Sequence, residues 1–106
     1  MELKVSYPGV NVDGEQLERI ERDLEKIDRR LKDYNLVYAE LRISKKDRGA
    51  PTYGVVLEVE FGRNHIIAKS DNITDLNIAV RDAREDVLRQ INDRSRRGHS
   101  DFSKRA

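Results

Sequence analysis

A two-layer α+β domain is what this sequence predicts: element order β-α-β-β-β-α, a four-stranded mixed sheet, and two helices packed on one face. Three observations lead there. Leu76, Val80, Ala83, Val87 and Ile91 recur at steps of four, three, four and four, the spacing of one face of an α-helix. Leu17, Ile20, Leu24, Ile27, Leu31 and Tyr34 repeat that pattern nearer the start. Four other segments alternate apolar and polar residues, the last less cleanly because Ile66 and Ile67 are adjacent, as strands buried on one side do. One stripe per helix and one apolar face per strand are all covered if both helices lie on the same side of the sheet.

Residues 2–7 place Leu3, Val5 and Tyr7 on one side and Glu2, Lys4 and Ser6 on the other. Pro8 and Gly9 end this strand with turn chemistry. Asp13 followed by Gln16 forms a capping box at the head of the first helix. The outer face of that helix carries Arg19, Glu21, Arg22, Glu25, Lys26, Asp28, Arg29, Arg30 and Lys32. Glu18 with Arg22, Glu25 with Arg29, and Asp28 with Lys32 have the four-residue spacing of helix ion pairs. Asn35 is expected to close the helix.

Val37, Ala39, Leu41 and Ile43 then alternate with Tyr38, Glu40, Arg42 and Ser44 as a second strand. Lys45, Lys46 and Arg48 fall in a loop marked by Gly49 and Pro51. Tyr53, Val55, Leu57, Val59 and Phe61 mark a third strand, Gly62, Arg63 and Asn64 a short hairpin, and residues 65–70 a fourth strand. The second helix occupies residues 72–97. Thr74 or Asp75 caps it, Arg94, Arg96 and Arg97 complement its dipole, and Gly98 offers a stop. Residues 1–97 thus form one domain and residues 98–106 a flexible basic tail. Two strands joined through a helix should be parallel with a right-handed crossover, and the last three strands an antiparallel meander. The outer face of the sheet should keep Glu40, Arg42, Glu58, Glu60 and Lys69 in water.

The chain is 39% charged and 37% hydrophobic with a net charge of +1, but the charge is uneven. Residues 94–106 hold Arg94, Arg96, Arg97, Lys104 and Arg105 against the single acid Asp101, a net +4, and the rest sums to −3. A mildly acidic body with a basic end points to an anionic partner met partly by the tail. Cations at a helix end also serve its dipole and its solubility, and both readings stay open at this point. No cysteine is present, which excludes disulfides and cysteine-ligated metals. The first residues lack the apolar run of a signal peptide, and no stretch approaches membrane-spanning length. A cytoplasmic protein with no membrane partner is expected.

The sequence holds no recognisable catalytic or cofactor motif. His65 and His99 are its only histidines and lie far apart; His65, beside a hairpin turn, reads as a surface strand residue. A zinc-protease motif, an acidic calcium loop and a glycine-rich phosphate loop are all missing. No enzymatic activity, metal, cofactor or small-molecule substrate is expected.

The element order, Gly9 after the first strand and the stripe Leu17, Ile20, Leu24 and Ile27 belong to one pattern. So do the run Asp75-Leu76-Asn77-Ile78-Ala79-Val80-Arg81 and the later Arg89-Gln90-Ile91. Together they resemble the ribosome hibernation-promoting factor and ribosome-associated inhibitor (protein Y) family, also termed sigma-factor modulation proteins. The resemblance spans residues 1–97 and suits the short form, without a dimerising C-terminal domain. The charges depart from the family pattern: Asp23 and Asp86 stand at basic positions, Arg81 at an acidic one, and Asn92-Asp93 interrupt the basic helix end. The resemblance implies a non-enzymatic factor that binds the small ribosomal subunit in the channel used by mRNA and tRNA, and so inhibits translation or promotes hibernation under stress.

Lysines and arginines gain affinity for ribosomal RNA by releasing counterions, and structured RNA is read largely by shape and backbone. The expected RNA contacts are Arg29 and Arg30 on the first helix and Lys45, Lys46 and Arg48 in the loop. Arg81, Arg84 and Arg89 on the second helix, and Arg94, Arg96 and Arg97 at its end, complete one positive surface. Two other classes fit the sequence: a diverged protein-interaction module, which could pair with itself through a sheet edge, and a general double-stranded RNA-binding domain. The oligomeric state is left open.

Overall fold

The segments of period two form strands and those of period 3.6 form helices, in the expected order. The computed structural model describes the backbone of residues 1–105 and the side chains of residues 1–95. It places β1 at Glu2–Ser6, α1 at Gly14–Arg30, β2 at Val37–Lys46, β3 at Thr52–Phe61, β4 at Asn64–Ile73 and α2 at Leu76–Arg105. The sheet order is β1-β2-β3-β4. β1 runs parallel to β2, and the other pairs are antiparallel.

Both helices cover one face. Ile20, Leu24 and Ile27 of α1 and Val80, Ala83, Val87 and Ile91 of α2 share one buried cluster with Leu41, Val55, Leu57, Val59 and Ile66 of the sheet. Burying a side chain such as Leu57 contributes about 1.5–3 kcal/mol. The pleat separates the adjacent isoleucines: Ile66 is buried and Ile67 faces out. The opposite face holds Glu40, Arg42, Glu58, Glu60 and Lys69 at exposed or half-exposed positions, as expected.

Local hydrogen bonds set the helix ends. Asp13 Oδ1 accepts from the Gln16 N–H at 2.7 Å. Asp75, not Thr74, caps α2, its Oδ1 accepting from Asn77 N–H at 2.8 Å and Ile78 N–H at 3.4 Å. α1 ends at Arg30, before the expected Asn35. The Leu31 N–H is there shared between the Ile27 and Asp28 carbonyls, at 3.0 and 3.2 Å, a tightening typical of a last turn. Tyr34 leaves the helical stripe and meets Phe61 edge-on, ring centroids 4.9 Å apart. α2 runs through Gly98 to Arg105 rather than stopping; a lone helical glycine costs about 1 kcal/mol relative to alanine, too little to end a helix unaided. The expected α1 ion pairs do not form among the described residues, and Asp28 lies instead 3.2 Å from the Met1 ammonium.

Two strands exceed their expected bounds. β2 reaches Lys46, which pairs with Thr52, so Lys45 and Lys46 are strand residues and the loop shrinks to residues 47–51. β4 continues past Ser70 to Ile73 because a register shift between Tyr53 and Val55 absorbs the extra length, as a bulge does. Gly54 sits at that irregularity, where an added Cβ would come within 2.9 Å of Asp71 Oδ1.

Chain direction decides which ends meet. α1 returns antiparallel to β2, and α2 antiparallel to β4, so the two helices run parallel. The cross-contacts agree: Arg84 reaches Asp23, and Arg30 reaches Asn92 and Ser95. The C-terminal end of α1 and the part of α2 near Arg94 therefore stand beside the β3–β4 hairpin. Both helix N-caps stand beside the β2–β3 loop at the other end.

Candidate nucleic-acid interface

The C-terminal end of α1 is negative and favours cations, and α2 passes beside that end on its way to Arg105. Arg29 and Arg30 occupy the last turn of α1, Arg94 lies across from them on α2, and the exposed Arg63 sits on the hairpin. Arg30 Nε donates to Asn92 Oδ1 at 3.2 Å and its Nη2 to Ser95 Oγ at 3.4 Å. Arg94 Nη1 donates to Asn64 Oδ1 at 3.3 Å and its Nη2 to the His65 carbonyl at 3.2 Å. All four acceptors are neutral. They hold the guanidiniums in place without cancelling their charge. Both arginines line a cavity of about 130 Å³, walled also by Tyr34, Phe61, Asn64 and Ser95. An anion seated there would meet two fixed cations.

Arg94 also acts on the sheet edge, together with Gln90. Phe61 and Asn64 flank a two-residue hairpin, so they exchange backbone hydrogen bonds. The alternation then turns the His65 and Ile67 carbonyls away from β3. Arg94 covers the first, and Gln90 Nε2 donates to the second at 3.1 Å. Occupying these acceptors blunts strand addition at the β4 edge, which weighs against self-pairing there.

The remaining expected contacts lie elsewhere. Lys45 stands 3.5 Å from Asp47, and Lys46 3.5 Å from Asp71. With the exposed Arg48 they occupy the opposite end of the domain, about 30 Å away along β2 at strand rise. Arg81 is exposed on α2, and Arg89 lies 3.9 Å from Asp86. Arg96 and Arg97 fall outside the described side chains. The expected single positive surface is therefore two separated groups.

Arg84 leaves the exposed set altogether. It is only 6% exposed. Its guanidinium donates to Glu85 Oε1 at 2.6 Å and to the Asp23 carbonyl at 3.4 Å, with the Asp23 carboxylate at 3.6 Å. The Arg84 hydrogen bond holds the Glu85 carboxyl below its ordinary range. Position 84 lies four residues after Val80 and three before Val87, on the apolar stripe itself, and that spacing was the available signal. Asp23, an acid at a position basic in the family pattern, is its partner across the helix seam. Arg63 carried no such signal, because it reads as turn punctuation until the helices bring the hairpin beside Arg94.

The open face of the sheet has the other sign. Arg42 bridges Glu40 at 2.6 Å and Glu58 at 2.5 Å, and Lys4 lies 3.7 Å from Glu40. His65 Nε2 lies 2.9 Å from Glu58 Oε2. Hydrogen bonds from Arg42 and then His65 hold the Glu58 carboxyl below its ordinary range. Glu2, Glu40, Glu58 and Glu60 outnumber the permanent cations Lys4, Arg42 and Lys69, and with Arg42 and Lys4 already paired to acids this face is a poor bed for a phosphate backbone.

Solved structures share this layout. The N-terminal domain of protein Y from Thermus thermophilus aligns with a TM-score of 0.73 at 16% identity, covering 86% of this chain and 96% of that one. The chain has the protein Y fold. A ribosomal subunit interface protein from Coxiella burnetii has it too, with a TM-score of 0.69 at 15% identity over 90% of this chain and 98% of that one. The resemblance carried by the element order and the helix stripes is thus matched in three dimensions. No protein-family model matches the sequence, and no curated protein matches it. What these structures share with the chain at such identities is the architecture. Among the described residues no helix is long and apolar enough to cross a membrane.

Proposed function

We propose that this chain is a non-enzymatic ribosome-associated factor that binds small-subunit ribosomal RNA in the mRNA and tRNA channel. Through that contact it restrains translation or keeps ribosomes idle under stress. The observation that carries this reading is the pair Arg30 and Arg94, two cations fixed by neutral acceptors around one cavity. Arg29 and Arg63 flank them, and Arg96 and Arg97 continue the basic run in sequence. Lys45, Lys46 and Arg48 form a second anchor at the far end, with Arg81 and Arg89 between. The protein Y fold and the name of the Coxiella structure, a ribosomal subunit interface protein, support the same partner.

Sucrose-gradient sedimentation with purified ribosomal subunits tests the proposal. The chain should travel with the small subunit and leave it steeply as salt rises. Failure to co-sediment at low salt would refute it. One feature favours a second reading, a protein-interaction module: Tyr34, Leu36 and Tyr38 are 43%, 65% and 44% exposed and lie together beside Gly62. A ribosome association that survives nuclease digestion of the RNA would support that reading instead.

A further inference from the structure

The open sheet face holds a group of side chains that RNA binding does not use. Glu58 and Glu60 are two residues apart on β3 and share one face. His65 pairs directly with Glu60 across the hairpin. Because the Phe61 and Asn64 pair is hydrogen-bonded, the next pair is the non-hydrogen-bonded kind, whose side chains approach more closely. His65 Nε2 lies 2.9 Å from Glu58 Oε2 and 3.9 Å from Glu60 Oε1. One ligand atom from each of the three residues falls within 4.8 Å of the others.

We infer that Glu58, Glu60 and His65 form a binding site for a divalent transition-metal ion of the zinc type. Zn–N and Zn–O bonds are about 2.1 Å long, so adjacent ligand atoms in a tetrahedron sit about 3.4 Å apart. The two His65 separations straddle that value and the Glu58 and Glu60 oxygens lie within 4.8 Å of each other, so rotations of these surface side chains bring three corners together. Water takes the fourth. The ion replaces the hydrogen now shared between His65 and Glu58. One imidazole with two carboxylates suits zinc and its neighbours, whereas magnesium and calcium prefer all-oxygen sets.

The surroundings fit a metal site as well. Glu58 binds through Oε2 while its Oε1 stays held by Arg42 at 2.5 Å, the outer contact that orients a metal-binding carboxylate. Arg94 donates to the His65 carbonyl, which ties the ligand-bearing strand to α2. All three ligands come from one short hairpin, so little ordering is needed on binding. The inference does not depend on the ribosomal reading, since it uses a different face.

Calorimetric titration of zinc chloride into the tag-free full chain, in a non-coordinating buffer, tests it. Saturable binding of one ion per chain is expected, with magnesium chloride giving none. E60Q and H65N should each weaken zinc at least about tenfold, a loss in the range seen for disturbed metal sites, while H99N binds as the parent does. Glu60 and His65 are both exposed, and circular dichroism confirms that the variants fold. Adding cobalt(II) should broaden amide signals at Glu58, Glu60 and His65 above all. No saturable zinc binding, equal binding by H65N, or broadening centred elsewhere would overturn the inference.

Discussion

Replacing Arg30 and Arg94 together by alanine probes the proposed RNA seat most sharply. Each now donates two hydrogen bonds to neutral acceptors, so neither substitution strands a buried charge, and the fold should persist. A hydrogen bond to a charged group contributes about 1.5–3 kcal/mol. Taking the lower value for this solvated end, each arginine accounts for about tenfold in affinity and the pair for about a hundredfold. The salt dependence should change too. With a slope of about 0.7–0.9 per neutralised phosphate in log–log form, losing two contacts flattens it by about 1.4–1.8. Fluorescence anisotropy of a labelled small-subunit RNA fragment across a salt series measures both quantities. An affinity and a slope equal to the parent's would refute the reasoning, because they would mean that these two cations meet no phosphate.

Three further outcomes are expected. R84A should lower stability by about 1–3 kcal/mol in urea titration, by opening the helix seam at Asp23, yet change RNA affinity less than twofold. Leu57→Ala, at a fully buried position, should cost about 2–5 kcal/mol, read from the same titration. The Glu58 carboxyl, held low chiefly by Arg42, adds stability that is complete above the ordinary carboxylate range and is lost as pH falls through the lowered value. Thermal melts from neutral to acid pH should show that loss, and E58Q should remove part of the slope.

The sheet and both helices were legible because burial imposes a period on the residues that must be inside. Leu41, Leu57 and Val80 announce their positions in this way. Boundaries were less so. Leu31 and Tyr34 continue the α1 stripe, although the chain has already left the helix at Leu31, and nothing local marks that exit. Lys45 and Lys46 read as loop because their strand partners, Tyr53 and Thr52, are known only once the register is set. The site was legible in part: Arg30 stands out at a helix end and Arg94 at the start of a basic run, but their shared cavity needs the parallel helices. Arg84 shows the limit of reading charge alone. Its spacing placed it on the buried stripe, and its type suggested the surface.

Hydrogen–deuterium exchange of the chain, free and with purified small ribosomal subunits, tests the central claim most directly. Slower exchange is expected in residues 29–34, 61–65 and 89–95, where the two helices and the hairpin converge, with β1 and the central part of β2 unchanged. Protection centred on the acidic face around Glu40 and Glu58, or none anywhere at saturating subunit, would contradict the account.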